Sequence, residues 1–151
     1  MKKKFLMVFI VIVVVMTFFT PSYAKNTVEF PEEDSTELQY QDMIMLFLGS
    51  HIDQAISDHY SFYLKKDPIV YPYQIEVKKV KRINEFREFH FVIILEVTPV
   101  VGPHITVGKD KLIFEVSPTI PGKVKLLKFE HLETHELPPV WMHLLKKKPS
   151  L

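Results

Sequence analysis

The chain has 151 residues, 19 Lys and Arg against 18 Asp and Glu, and no cysteine. That length leaves room for one ordinary domain with its own core, and the lack of cysteine excludes a disulfide scaffold, a thiol nucleophile and a lipid-modified cysteine anchor. Nearly balanced charge excludes the broad basic field that nucleic-acid binding needs, so no nucleic-acid partner is expected.

The N-terminus reads as a secretory leader. Met1-Lys2-Lys3-Lys4 precedes an apolar block from Phe5 to Phe19, interrupted only by Thr17, and Thr20-Pro21-Ser22-Tyr23-Ala24 follows. A basic start, an apolar centre and a small-x-small end predict a signal peptide over residues 1–24, cut between Ala24 and Lys25. The alternative is an uncleaved anchor. The fifteen residues of the block, rising about 1.5 Å each, span roughly 22 Å, short of the ~30 Å hydrocarbon core. Membrane contact is therefore expected only if the leader is retained. Lys2, Lys3 and Lys4 are three of the 19 basic residues and no acid precedes Lys25, which leaves 16 against 18, a mature charge of −2. The expected location is outside the cytoplasm, and export without disulfides fits a Gram-positive bacterium.

Residues 25–34 form a polar lead-in ending in Pro31-Glu32-Glu33-Asp34, followed by a single domain over 35–145 and a basic tail over 146–151. The helical region opens at Ser35-Thr36, where Thr36 with Gln39, or Asp34 with Glu37, has capping-box spacing. Met43 to Leu48 is apolar on every face and demands cover all round, from the sheet on one side and a second helix or a partner on the other. Gly49-Ser50 interrupts the pattern. Beyond it Ile52, Ala55, Ile56, His59, Tyr60, Tyr63 and Leu64 recur at three- and four-residue spacing. The pattern predicts two helices, 36–48 and 51–65, although one kinked helix would leave the same trace.

Asp67-Pro68 and Tyr71-Pro72 end the helical region. A strand is expected over Tyr73–Val80, a connection at Arg82–Glu85, and a central strand over Phe86–Val97. Phe89, Phe91, Ile93, Leu95 and Val97 alternate at the two-residue strand period, and Val92 and Ile94 make its other face apolar as well, which predicts burial on both sides. Thr98 to His104 connects to the return strand, read as Ile105–Val107 and Leu112–Val116 with a kink at Gly108-Lys109-Asp110. After the Pro118–Gly122 turn, a last strand places Val124, Leu126 and Lys128 opposite Leu127, Phe129 and His131. Pro138-Pro139 then opens a short C-terminal helix. The expected fold class is α+β: two N-terminal helices packed on a four-stranded antiparallel β-meander, with a short C-terminal helix.

Candidate chemistry centres on histidine. In an extended strand His131, Glu133 and His135 share a face and make a conceivable zinc set, although their H-x-E-x-H order matches neither H-E-x-x-H nor H-x-x-E-H. His104 follows Gly102-Pro103 in a turn where a backbone can approach a ligand closely. His51 and His59 lie on one helical quadrant, with His59 in the apolar stripe and expected to pack. No nucleophile elbow or phosphate loop is found, because the serines fall at caps and turns and the four glycines are scattered. The tyrosines read as the rim of a core, and Lys146 to Lys148 as complements to a helix C-terminus. Accordingly no catalytic residue, metal or cofactor is assigned. The expected function is a non-enzymatic module that binds a protein, a peptide or a cell-envelope polymer; the alternative is a hydrolase, metal-dependent or otherwise, using His131, Glu133 and His135, or His104.

Leu38-Gln39-Tyr40-Gln41-Asp42-Met43, Leu95-Glu96-Val97-Thr98-Pro99, Gly102-Pro103-His104-Ile105 and Lys128-Phe129-Glu130-His131 together carry a resemblance. From Ser35 to Pro139 the chain resembles the bacterial family called domain of unknown function 3888, short signal-bearing proteins of Bacillus-like bacteria. The resemblance implies export and a single domain. It implies no activity and carries over no catalytic residue.

Overall fold

The computed structural model describes residues 34–146. The expected leader with its cut between Ala24 and Lys25, the lead-in up to Glu33 and the tail beyond Lys146 lie outside the described residues. A helix, α1 (Thr36–Tyr60), is followed by a 3-10 turn at Pro72–Gln74 and six strands: β1 (Ile75–Arg82), β2 (Phe91–Val97), β3 (Val100–Val101), β4 (Ile105–Thr106), β5 (Gly108–Val116) and β6 (Val124–Thr134). A 3-10 helix, Pro139–Leu144, closes the described chain. The expected α+β class holds, with a four-stranded antiparallel sheet in the order β1-β2-β5-β6.

The expectation of two N-terminal helices is corrected: Thr36 to Tyr60 is one helix of 25 residues. Ser35 caps it, its hydroxyl accepting from the Leu38 N–H at 3.1 Å. Gly49 and Ser50 sit in mid-helix. An interior glycine costs about 1 kcal/mol relative to alanine, but Met45, Leu48, Ile52, Ala55, Ile56 and Tyr60 form one buried stripe in phase across it. Each large apolar side chain buried there contributes about 1.5–3 kcal/mol, so the stripe outweighs the glycine. Residues 61–65, expected to be helical, turn instead: Leu64 bridges Leu145, and the Lys65 N–H donates to the Leu144 carbonyl at 2.9 Å. Among the described residues no helix is long and apolar enough to cross a membrane.

The alternation in the central strands becomes the core. Phe91, Ile93, Leu95 and Val97 of β2 lie opposite Val116, Phe114, Leu112 and Asp110 of β5, and α1 covers this face. Leu95, Val97 and Leu112 are fully buried. On the other face Val92, Ile94 and Ile113 are half-buried, so the described residues do not enclose the middle strand on both sides; among them, helical cover reaches one face. That outer face carries the Glu96–Lys109 ion pair at 2.8 Å, with Lys78 3.8 Å from the same carboxylate.

Two strand expectations also change. Ile105–Thr106 pairs back onto Val100–Val101 as a separate two-stranded unit, while β5 runs unbroken from Gly108 through Lys109-Asp110. The irregularity lies in β6 instead. Phe114 pairs with Leu126 and Ile113 with Lys128, leaving Leu127 as an extra residue; Asp110 pairs with His131 and Lys109 with Glu133, leaving Leu132 as another. Each bulge reverses the alternation beyond it. Leu126 therefore joins the face of Phe129 and His131 rather than opposing them.

Candidate functional site

An apolar groove of about 480 Å³ opens between the N-terminal half of α1 and the end of the sheet where β1, β2 and β5 meet. Tyr40 and Ile44 form its helical wall, Val80, Phe91, Ile93 and Val116 its floor, and Glu37 and Gln41 contribute the polar side chains. The bulge at Lys78, where Val77 pairs with Leu95 and Val80 with Ile93, puts both valines on the face of the sheet that carries those two residues, Val77 buried and Val80 exposed along the groove. The wall continues out of the groove. Tyr40, Met43, Ile44 and Phe47 are all exposed, and their spacing of i, i+3, i+4 and i+7 makes a continuous stripe along the helix. Of the all-apolar Met43–Leu48 segment, Met45 and Leu48 face the core, whereas Phe47 is 81% exposed. The cover expected from a second helix is not supplied by the described residues.

The second feature lies at the opposite end of α1. Asp110 points from β5 into the core face with no exposure to solvent. The Tyr60 hydroxyl donates to its Oδ2 at 2.9 Å, and His131 Nδ1 donates to its Oδ1 at 2.6 Å. His131 Nε2 in turn lies 2.7 Å from Thr134 Oγ1. His59, one residue before Tyr60, stacks between Phe129 and His131 with ring centroids at 4.5 and 5.1 Å. Burial pushes the His59 imidazole below its ordinary pKa, the Asp110 charge opposes that shift, and His131 adds to it. Burial also drives the Tyr60 phenol well above its usual value, reinforced by the charge of Asp110 and the hydrogen bond to it. The phenol thus stays a donor to the carboxylate. His59, Asp110 and His131 each present a donor atom, all within 4.8 Å of one another.

Close packing here depends on Gly108. A Cβ at that position would lie 2.6 Å from the Glu133 carbonyl oxygen and closer still to the Tyr60 hydroxyl.

The set of His131, Glu133 and His135 that the sequence makes conceivable does not form, because His131 turns away from the other two. The extra residue Leu132 sends His131 to the Asp110 face and Glu133 to the Lys109 face. His135 lies 2.9 Å from Thr106 Oγ1 and 3.5 Å from Glu133. His104 is in the turn between β3 and β4 with φ 63°, stacked on Tyr71 at 4.8 Å, its Nδ1 2.9 Å from the Tyr73 hydroxyl. That arrangement is an exposed aromatic stack. His51 is not in the Asp110 group, and His59 packs as expected but against a titratable neighbour. Asp110 was missed, though a signal was present: it shares the parity of Leu112, Phe114 and Val116, which puts a carboxylate in register with the core.

A family model described as "Protein of unknown function (DUF3888)" matches residues 40–133, a span containing most of the groove and all three members of the Asp110 group. No curated protein and no solved structure matches the chain.

Proposed function

The chain belongs to that DUF3888 family, and on this premise we propose that it is exported, cut between Ala24 and Lys25, and acts as a non-enzymatic module that docks an apolar-faced helix of a protein partner along α1. The observation that carries the reading is the exposed Tyr40, Met43, Ile44 and Phe47 stripe, which leads into an apolar groove. A helix-in-groove contact uses this i, i+3, i+4, i+7 spacing, with apolar side chains of one helix seated against those of the other. An envelope polymer is the weaker occupant. Sugars and phosphates call for hydrogen-bonding or cationic side chains, and the groove offers Glu37 and Gln41. The hydrolase alternative has less support, because the β6 bulge separates His131 from Glu133 and His135, and His104 stacks on tyrosine.

The test begins with intact mass of the chain recovered from culture medium and from membranes, where a soluble species starting at Lys25 is expected. A membrane-bound species retaining Met1 to Ala24 would overturn the export part of the proposal. That soluble protein is then used to select helical peptides from a display library, with an Ile44→Glu variant in parallel. Peptides with apolar residues at helical spacing should bind the native chain and lose at least tenfold in affinity for the variant. Equal selection by both proteins would refute docking on α1. Self-association of the native chain that Ile44→Glu abolishes would make the occupant a second copy, and vesicle binding that it abolishes would make it a lipid surface; either result overturns the proposed partner.

A further inference from the structure

We propose that His59, Asp110 and His131 form a three-ligand site for a divalent first-row transition ion, zinc foremost. The donors come from one helix end and two adjacent strands, a framework fixed by packing, and their nearest donor atoms lie within 4.8 Å of one another. An ion at the centre of a triangle with sides no longer than that stands at most about 2.8 Å from each donor. Closing to the ~2.0–2.1 Å of a zinc–imidazole or zinc–carboxylate bond then needs movements of under about 1 Å. Two imidazoles and one carboxylate are the donor types that borderline-soft zinc accepts, and three protein ligands leave a fourth position for water.

The surroundings fit an ion as well as the donors do. Asp110 is a fully buried carboxylate, and among the described residues its ion-pair partner is His131. A divalent cation compensates such a charge more completely than one imidazole. Neither ring nitrogen of His59 bonds a protein group among the described residues, so a lone pair is free for an ion. Hydrogen bonds already orient two of the three ligands: the Tyr60 hydroxyl holds Oδ2 of Asp110, and Thr134 Oγ1 faces Nε2 of His131. When the ion takes Nδ1 of a neutral His131, the proton there moves to Nε2, where Thr134 Oγ1 accepts it. With its side chain 30% exposed, His131 leaves a route from solvent. The site differs from the His131, Glu133 and His135 set conceivable from sequence, and it runs against the sequence-based expectation of no metal.

The experiment uses the untagged chain as recovered from its producing host. Elemental analysis is made before and after chelation, followed by titration with Zn²⁺ and, separately, Co²⁺. Near-stoichiometric zinc is expected, with the visible d–d bands of tetrahedral cobalt in the substituted protein. At a hundredfold excess over Kd, zinc should raise Tm by roughly 10 °C. His59→Gln and Asp110→Asn should weaken zinc binding by at least tenfold, while the double variant Glu133→Gln with His135→Gln should retain it. Asp110→Asn bears on the fold as well, so His59→Gln, with apo Tm and circular dichroism as fold controls, carries the discrimination. Zinc binding unchanged in His59→Gln, zinc lost with Glu133 and His135, or octahedral cobalt spectra in the native chain would each overturn the assignment.

Discussion

At the scale of single residues, Gly108 shows how a backbone position can set the chemistry of a side-chain cluster. Its φ lies outside the left-handed region, so conformational freedom is not what the position requires. Space is. An added methyl would meet the Glu133 carbonyl oxygen at 2.6 Å, an atom of the neighbouring strand that can move only if the β5–β6 ladder moves, and it would also displace the Tyr60 hydroxyl from Asp110. Gly108→Ala is therefore expected to cost about 1–3 kcal/mol as an overpacking change, read from the urea midpoint at constant m-value. A neutral result would mean that β6 yields there and that Tyr60 does not depend on this close approach. The chemistry was half legible at this scale. His131 stands out in the sequence, where Glu133 and His135 are its conceivable neighbours on one face; one extra residue at Leu132 places Asp110 beside it instead. A bulge is a matching of two strands, and neither strand alone announces it.

At the scale of elements, α1 separates what local signals determine from what packing determines. Gly49-Ser50 carries a genuine local preference against helix, and reading a break there follows from propensity alone. The buried stripe from Met45 to Tyr60 runs in phase across that point, and packing overrides the break. Gly49 has nothing within 4 Å of where a Cβ would sit. Gly49→Ala should accordingly stabilise the protein by about 0.5–1 kcal/mol through helix propensity and the unfolded chain, seen as a higher urea midpoint. Destabilisation would indicate a bend at Gly49 that the native fold uses. The strands were more legible than the helix, because the period-two pattern of Phe91–Val97 and Leu112–Val116 matches the observed register pair by pair. Across those strands the Lys109 hydrogen bond, outweighing the opposing burial, holds Glu96 below the ordinary carboxylate range. A carboxyl whose folded pKa is depressed adds stability above its unfolded value near ~4.3, and that stability is lost as pH falls through the folded pKa. Glu96→Gln should thus lower stability at pH 7 by about 0.2–1 kcal/mol, as surface pairs do. The difference from the native chain should vanish once both Glu96 states are protonated. A gap that persists at low pH would assign the effect to packing instead of charge.

At the scale of the whole molecule, the layer arrangement has a one-sided economy. Among the described residues one α-helix covers one face of a four-stranded sheet, the other face carries charged pairs around half-buried aliphatics, and nothing covers the outer stripe of the helix. The sequence leads one to expect cover on all sides of Met43–Leu48, but among the described residues only Met45 and Leu48 of that segment are buried; an apolar run says that a face favours burial and not what buries it. Two adjacent residues mark the difference. Leu48 is 3% exposed and belongs to the core, whereas Phe47 is 81% exposed and belongs to the stripe. Leu48→Ala should cost about 2–5 kcal/mol, the transfer and cavity penalties together. Phe47→Glu should leave unfolding free energy within about 0.5 kcal/mol of the native value, as surface substitutions do, while abolishing helix docking on α1. Urea unfolding of both variants, paired with the peptide-binding assay, measures the two effects independently. If Phe47→Glu instead costs as much as Leu48→Ala, the stripe is covered within the folded chain itself, and the helix has no open face to offer a partner. If Phe47→Glu is neutral in both stability and binding, the stripe is exposed but unused, and docking belongs to another surface.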